Sequence, residues 1–178
     1  MSYYYSTRQA LLSAFDLRGL MYKSYWPAYE QDHPTVNRHT TEPSDFKERL
    51  AQDARVRAAL RESLSEYDYT MLAYCYTVDG LLLFDCWRKI KPVLRGCSEL
   101  ARRLSNELLM QWFFDRHNVY RVKCGVGNRE IAETLGVSER TVRRKLVAPV
   151  RAVFAIADIE DRAGQVIGDK GWFIGNAA

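Results

Sequence analysis

Apolar residues recur at helical spacing through most of this chain. Ser6 stands where it can cap a first helix running to about residue 23, with Leu11, Leu12, Phe15 and Leu20 as its stripe. The pattern breaks over residues 24–43, where Pro27, Pro34, Pro43, Trp26, His33 and His39 read as a long irregular loop. Ser44 caps the next predicted helix, from Asp45 to about Leu64. Its apolar positions are Phe46, Leu50, Ala54, Val56 and Leu60, and Asp45 and Glu48 suit the positive end of the helix dipole. Residues 66–78 are more apolar and close at Asp79-Gly80. Residues 81–94 begin apolar, turn basic and are interrupted at Pro92. After Gly96, the stretch from Ser98 to about His117 carries Leu100, Leu104, Leu108, Leu109, Trp112 and Phe113 at helical spacing.

Beyond a glycine-containing connection (118–127), two more helices are predicted. The character then changes after Ala163, where Val166 and Ile167, and then Trp172, Phe173 and Ile174, flank a Gly-Asp-Lys-Gly turn. That tail reads as a small hairpin or an unstructured segment. The expected architecture is all-α. A helical body (1–117) is followed by a two-helix region (118–162) and by an apolar tail (163–178) that serves as an interaction element outside the core.

With 47% apolar and 27% charged residues in 178, the composition supports a packed core. No apolar run approaches the ~18–20 residues of a membrane span. The start, Met1 to Tyr5, lacks the basic and apolar stretches of a secretory signal. Both point to the cytoplasm and away from a membrane partner. Cys75, Cys86, Cys97 and Cys124 form no C-x-x-C pair, so they read as reduced thiols. Glu30, Asp32, His33 and His39 read as a polar loop, not a metal site, and no metal or cofactor is expected.

The net charge of +4 is unevenly spread. Residues 121–151 hold eight bases (Arg121, Lys123, Arg129, Arg140, Arg143, Arg144, Lys145, Arg151) against three acids, a local +5 that leaves −1 elsewhere. A basic concentration on a near-neutral body fits a nucleic-acid contact surface; a solvated helix face has the same composition.

Within that segment, residues 128–146 read as a helix-turn-helix. Asn128 can cap the first helix, Ile131 and Leu135 face inward, and Ala132 permits a close crossing. Gly136 suits a left-handed turn, Ser138 caps the second helix, and Val142 and Leu146 dock it. At ~100° per residue, the direction opposite Val142 and Leu146 holds Arg140, Arg144, Val147 and Arg151, flanked by Thr141 and Arg143. Lys145 lies nearer the core edge and reaches phosphate. The candidate DNA contacts are therefore Arg140, Thr141, Arg143, Arg144, Lys145 and Arg151, with Ser138 and Arg129 at the edges of the motif. Pro149 either kinks this second helix or starts a new one. No P-loop, Gly-x-Ser-x-Gly, His-Glu-x-x-His or acidic cluster is present, and Tyr3, Tyr4 and Tyr5 read as a packing cluster, not as nucleophiles. An enzyme is not expected.

Residues 129–146 resemble the helix-turn-helix of sigma-factor region 4 and of response-regulator DNA-binding domains. A small helical body with one late helix-turn-helix and a short tail resembles the Q-type antitermination proteins of phages, especially the AlpA-like antiterminator of lysis-gene clusters. That resemblance implies a protein that binds double-stranded DNA beside a promoter. It would load onto bacterial RNA polymerase with its sigma factor and suppress downstream termination by narrowing the RNA exit channel, with nascent RNA as a further partner. It carries over Arg140, Thr141, Arg143 and Arg144 as DNA contacts. One Q subgroup has zinc-binding C-x-x-C pairs, which this chain lacks. An ordinary activator or repressor, or the DNA-recognition subunit of a phage packaging complex, stays open as an alternative.

Overall fold

The computed structural model describes residues 4–15, 46–120 and 125–174, and side chains within these except those of Phe46, Lys47 and Arg49. The expected loop 24–43 with its histidines, the Ser44 cap and Cys124 lie outside the described residues. The fold is all-α: among the described residues the sole β pairing is an isolated bridge. No described helix is long and apolar enough to cross a membrane. The chain divides into two contact units, residues 1–69 with 159–178, and residues 70–158.

In the first unit, helix α1 (Thr7–Phe15) begins where Ser6 Oγ accepts from the Gln9 amide at 3.2 Å. Its buried residues Ala10, Leu11, Ala14 and Phe15 form the face that packs on α2 (Phe46–Ser63), which buries Val56, Ala59 and Leu60. Polar contacts add to this packing. Arg57 donates to the Ala14 carbonyl at 2.7 Å, and the Tyr4 hydroxyl donates to Asp53 at 2.7 Å.

The last described helix, here α9 (Ile156–Asp169), corrects the sequence reading of the tail. It runs through the expected boundary at residue 163 and buries Ile159, Ala163 and Ile167 at four-residue spacing. Gly164 sits against Thr7, where a Cβ would stand 2.6 Å from the hydroxyl. Gly171, at φ +67°, turns the chain back. Tyr4 then donates to the Trp172 carbonyl (3.1 Å) and accepts from the Ile174 amide (2.7 Å), a single parallel bridge in place of a hairpin. Trp172, Phe173 and Ile174 are half-buried. The misreading has a physical cause. Gly164 and Gly168 weaken the helical signal, yet here they are the positions where Thr7 and the Phe173 ring approach the helix.

In the second unit, Asp79 opens a helix instead of closing one. Its carboxylate accepts from the Leu82 amide at 2.9 Å and caps α4 (Gly80–Cys97). The preceding helix, α3 (Glu66–Tyr76), is sealed by Asn118. That buried side chain donates to the Tyr74 and Thr77 carbonyls. Helix α4 passes through Pro92 and Gly96 without stopping and buries Cys86, Trp87, Ile90 and Leu94, while Leu81 and Phe84 in its first turns are exposed. The stretch expected as one helix from Ser98 is two. Ser98 caps α5 (Glu99–Arg103), and Ser105 caps α6 (Asn106–His117) by accepting from the Leu108 amide. Two consecutive serine caps explain the break: each offers the backbone a hydrogen bond outside the helical ladder. Trp112 and Phe113 of α6 are fully buried, with Phe113 against Tyr74 and Phe154 at 5.4 and 5.1 Å between ring centroids. Burial pushes the Cys86 thiol up to about 11, which leaves it inert as a nucleophile at neutral pH.

Candidate nucleic-acid interface

Helix α7 (Asn128–Leu135) is anchored from α6. Asp115 accepts from the Val126 amide at 2.7 Å, and its carboxylate occupies the space where a Cβ on Gly125 would sit. Arg116 lies over the Trp112 ring at 4.9 Å and donates to Asn128 Oδ1. Asn128 is therefore the first helical residue and not the cap; Gly127 holds the cap position without a side-chain bond. Burial, and then the nearby Arg143 guanidinium, lower the Arg116 pKa.

The turn follows the sequence closely. Ile131 and Ala132 are buried, and Leu135 is half-buried. Gly136 adopts φ 65°, ψ 35°, and the Val137 amide reaches back to the Ala132 carbonyl at 3.0 Å. This closure satisfies carbonyls that a helix end leaves open, and only a residue at ease with positive φ makes it without strain. Arg103 donates to the Leu135 carbonyl at 3.3 Å from outside the turn. Ser138 Oγ accepts from the Thr141 amide at 3.2 Å and caps the next helix.

That next helix has three parts: Glu139–Val142, a π turn Arg143–Val147, and Ala148–Val153. The backbone keeps right-handed helical dihedrals across both junctions, so residues 139–153 form one continuous helix, α8. Pro149 is the second residue of the Ala148–Val153 part, directly after the π turn. The cause of the wide turn is legible in the chain. Val142, Leu146, Val150 and Phe154 are all buried and stand four apart throughout. In a regular helix each such step drifts about 40°, so three steps would carry Phe154 about 120° off the inner face. One wide turn absorbs the excess residue and keeps all four on the core side; the Ala148 amide bonds to the Arg143 carbonyl five residues back.

The outward row shifts accordingly. Arg140 and Arg144 are exposed as expected, but Val147 is half-buried and Ala148 takes the outward place, followed by Ala152. Arg151 is exposed at the flank. Among the expected DNA contacts the structure separates two groups. Arg129 pairs with Glu133 at 2.9 Å, and Arg143 approaches Glu139 at 3.7 Å. Ser138 and Thr141 are bound to each other, hydroxyl to hydroxyl at 3.0 Å, and serve the cap. Arg140, Arg144, Lys145 and Arg151 are exposed, and among the described residues no acid pairs with them. Sequence reasoning missed Arg116 and Ser98, whose partners Asn128 and Lys145 lie 12 and 47 residues away. The one signal for Ser98 was indirect: a proline inside a helix leaves a carbonyl that needs a donor from elsewhere. Comparison with protein-family models, with curated proteins and with solved structures yields no match.

Proposed function

We propose that this chain is a double-stranded DNA-binding protein that presents α8 to the major groove and acts in transcription as an antiterminator of the Q type. The observation that carries the DNA-binding reading is the set of exposed cations, Arg140, Arg144, Lys145 and Arg151, with no acid paired to them among the described residues, on a helix whose other side is pinned by Val142, Leu146 and Val150. Unneutralised charge on one surface favours a polyanion, and an α-helix fits the ~12 Å width of the major groove. Arg144, mid-helix and outward, suits a bidentate contact to guanine; Lys145 and Arg151 at the flanks suit phosphate.

The transcriptional role rests on the sequence resemblance. It implies that DNA binding serves to load the protein locally onto a promoter-proximal polymerase, after which it travels with the enzyme. The test is transcription in vitro with purified RNA polymerase and a template carrying the binding site and a distant intrinsic terminator. Read-through per transcript begun should rise with the protein present. It should persist when the terminator is moved further away and vanish when the DNA site is deleted. A rise in initiation with constant read-through would make the protein an ordinary activator. Large rings that require a partner ATPase would point to the packaging role.

A further inference from the structure

Pro149 has no amide hydrogen. In a regular helix that hydrogen would bond the Lys145 carbonyl four residues back, and the proline ring would press on the same carbonyl. Both problems fall inside the most basic stretch of α8, and the structure answers them from outside the helix. Ser98, which is 4% exposed, donates its hydroxyl to the Lys145 carbonyl at 2.7 Å. The same Oγ accepts from the Ala101 amide at 3.3 Å, so the hydroxyl is held at both ends by α5 and by α8. Lys145 lies inside the wide turn Arg143–Val147, with its carbonyl in reach of Ser98.

We infer that Ser98 is a positioning residue for the DNA-reading helix: its hydroxyl supplies the donor that Pro149 lacks, holds the wide turn open, and so sets the directions in which Arg143, Arg144 and Lys145 leave the helix. This rests on the DNA-binding reading above. A wide turn puts more residues into each revolution than a regular one, so three successive cations fan over a narrower arc. Base contacts by arginine depend on the fork meeting two acceptors at once, so a change in this arc alters discrimination more than overall attraction. Loss of a simple structural bond acts differently: it lowers the folded fraction and weakens all DNA alike.

The experiment begins by selecting a duplex from a random pool with the full-length protein. Affinities are then measured at one fixed salt for the selected duplex, its single-base-pair variants and a scrambled duplex. The proteins compared are wild type, Ser98→Ala, Ser98→Thr, Pro149→Ala and the Ser98→Ala/Pro149→Ala double variant, each with a thermal melt. Ser98→Ala should lose discrimination by roughly tenfold, the scale of an unpaired polar group, while scrambled-duplex affinity holds. Ser98→Thr keeps a hydroxyl and should retain discrimination. Pro149→Ala gives the Lys145 carbonyl a new donor, so adding Ser98→Ala to it should change little, a strongly non-additive pair. Parallel weakening on all duplexes, unchanged discrimination in Ser98→Ala, or additivity of the two substitutions would overturn the inference. If Ser98→Ala does not fold, the comparison of Pro149→Ala with the double variant decides: equal discrimination supports it and unequal discrimination overturns it. A wild type that selects no duplex would instead bring down the DNA-binding reading itself, and the inference with it.

Discussion

Helix α8 buries Val142, Leu146 and Val150, and helix α9 buries Ile159, Ala163 and Ile167; in both, the apolar residues stand four apart. Their outer surfaces differ in how charge is treated. On α9, the single base, Arg162, pairs with Asp68 at 2.9 Å, and the helix otherwise carries four acids, Asp158, Glu160, Asp161 and Asp169. On α8, Arg140, Arg144, Lys145 and Arg151 have no acid paired with them among the described residues. The apolar stripe therefore says only that a helix is docked. What sets α8 apart is a set of exposed bases with no acid paired to them among the described residues, and a wide turn at the centre of that positive charge.

The sharpest way to break the comparison is to remove the end of α9. Truncation after Gly164 takes away Ile167 and the contacts of Trp172 and Ile174 with Tyr4. Its thermal midpoint should fall far below that of the full chain; an unchanged melt would restore the view of residues 163–178 as an accessory tail. Single deletions of the inner stripes come next. Leu146→Ala and Ile167→Ala, both at fully buried positions, should each cost ~2–5 kcal/mol in urea unfolding. A cost below ~1 kcal/mol for either would show that its helix is not held by its stripe.

Changes on the outer surface should separate binding from stability. Arg144→Ala should weaken binding to a selected duplex by ~1–3 kcal/mol and leave unfolding within about 0.5 kcal/mol of wild type. Lys145→Ala should weaken all duplexes alike, because a cation at the flank grips phosphate and not a base; titrations on cognate and scrambled DNA at several salt concentrations distinguish the two. The same pair of substitutions leaving affinity untouched would remove α8 from the interface. Ser138→Ala should cost ~1 kcal/mol of stability through the lost cap. Smallest of all, Arg129→Ala should leave both DNA affinity and melting unchanged, since its exposed partner Glu133 already occupies it.

Much of this arrangement was legible in the chain because it is local. Ser6, Gly136 and Ser138 act within five residues of themselves, so their caps and turn could be read from sequence. The inward set Ile131, Val142 and Leu146 followed from helical spacing alone. What escaped depended on partners far away or on competition between neighbours. Asn128 is a capping type, yet Arg116 takes its side-chain oxygen and leaves the cap to Gly127. Asp79-Gly80 resembles a helix end, yet the Asp79 carboxylate faces forward and starts the next helix. The outward row was placed by extrapolating a uniform 100° step beyond Leu146, and the wide turn before Pro149 moved Val147 off it. A strict four-residue spacing across Val142, Leu146, Val150 and Phe154 carried that information, because no regular helix keeps such a stripe on one side.

The bridge between Tyr4 and Phe173 has a consequence for the order of events in synthesis. Residues 70–158 are continuous in the chain and can assemble as they emerge from the ribosome, whereas the other unit combines residues 1–69 with 159–178. Helix α1 is made before residues 70–158 but gains Gly164 as the neighbour of Thr7, and Trp172 as the acceptor for Tyr4, only after all of these have been made. Until then the face of α9 that carries Ile159, Ala163 and Ile167 does not exist. Helix α1 thus waits, incompletely covered, for α9, while residues 70–158, α8 among them, are already complete.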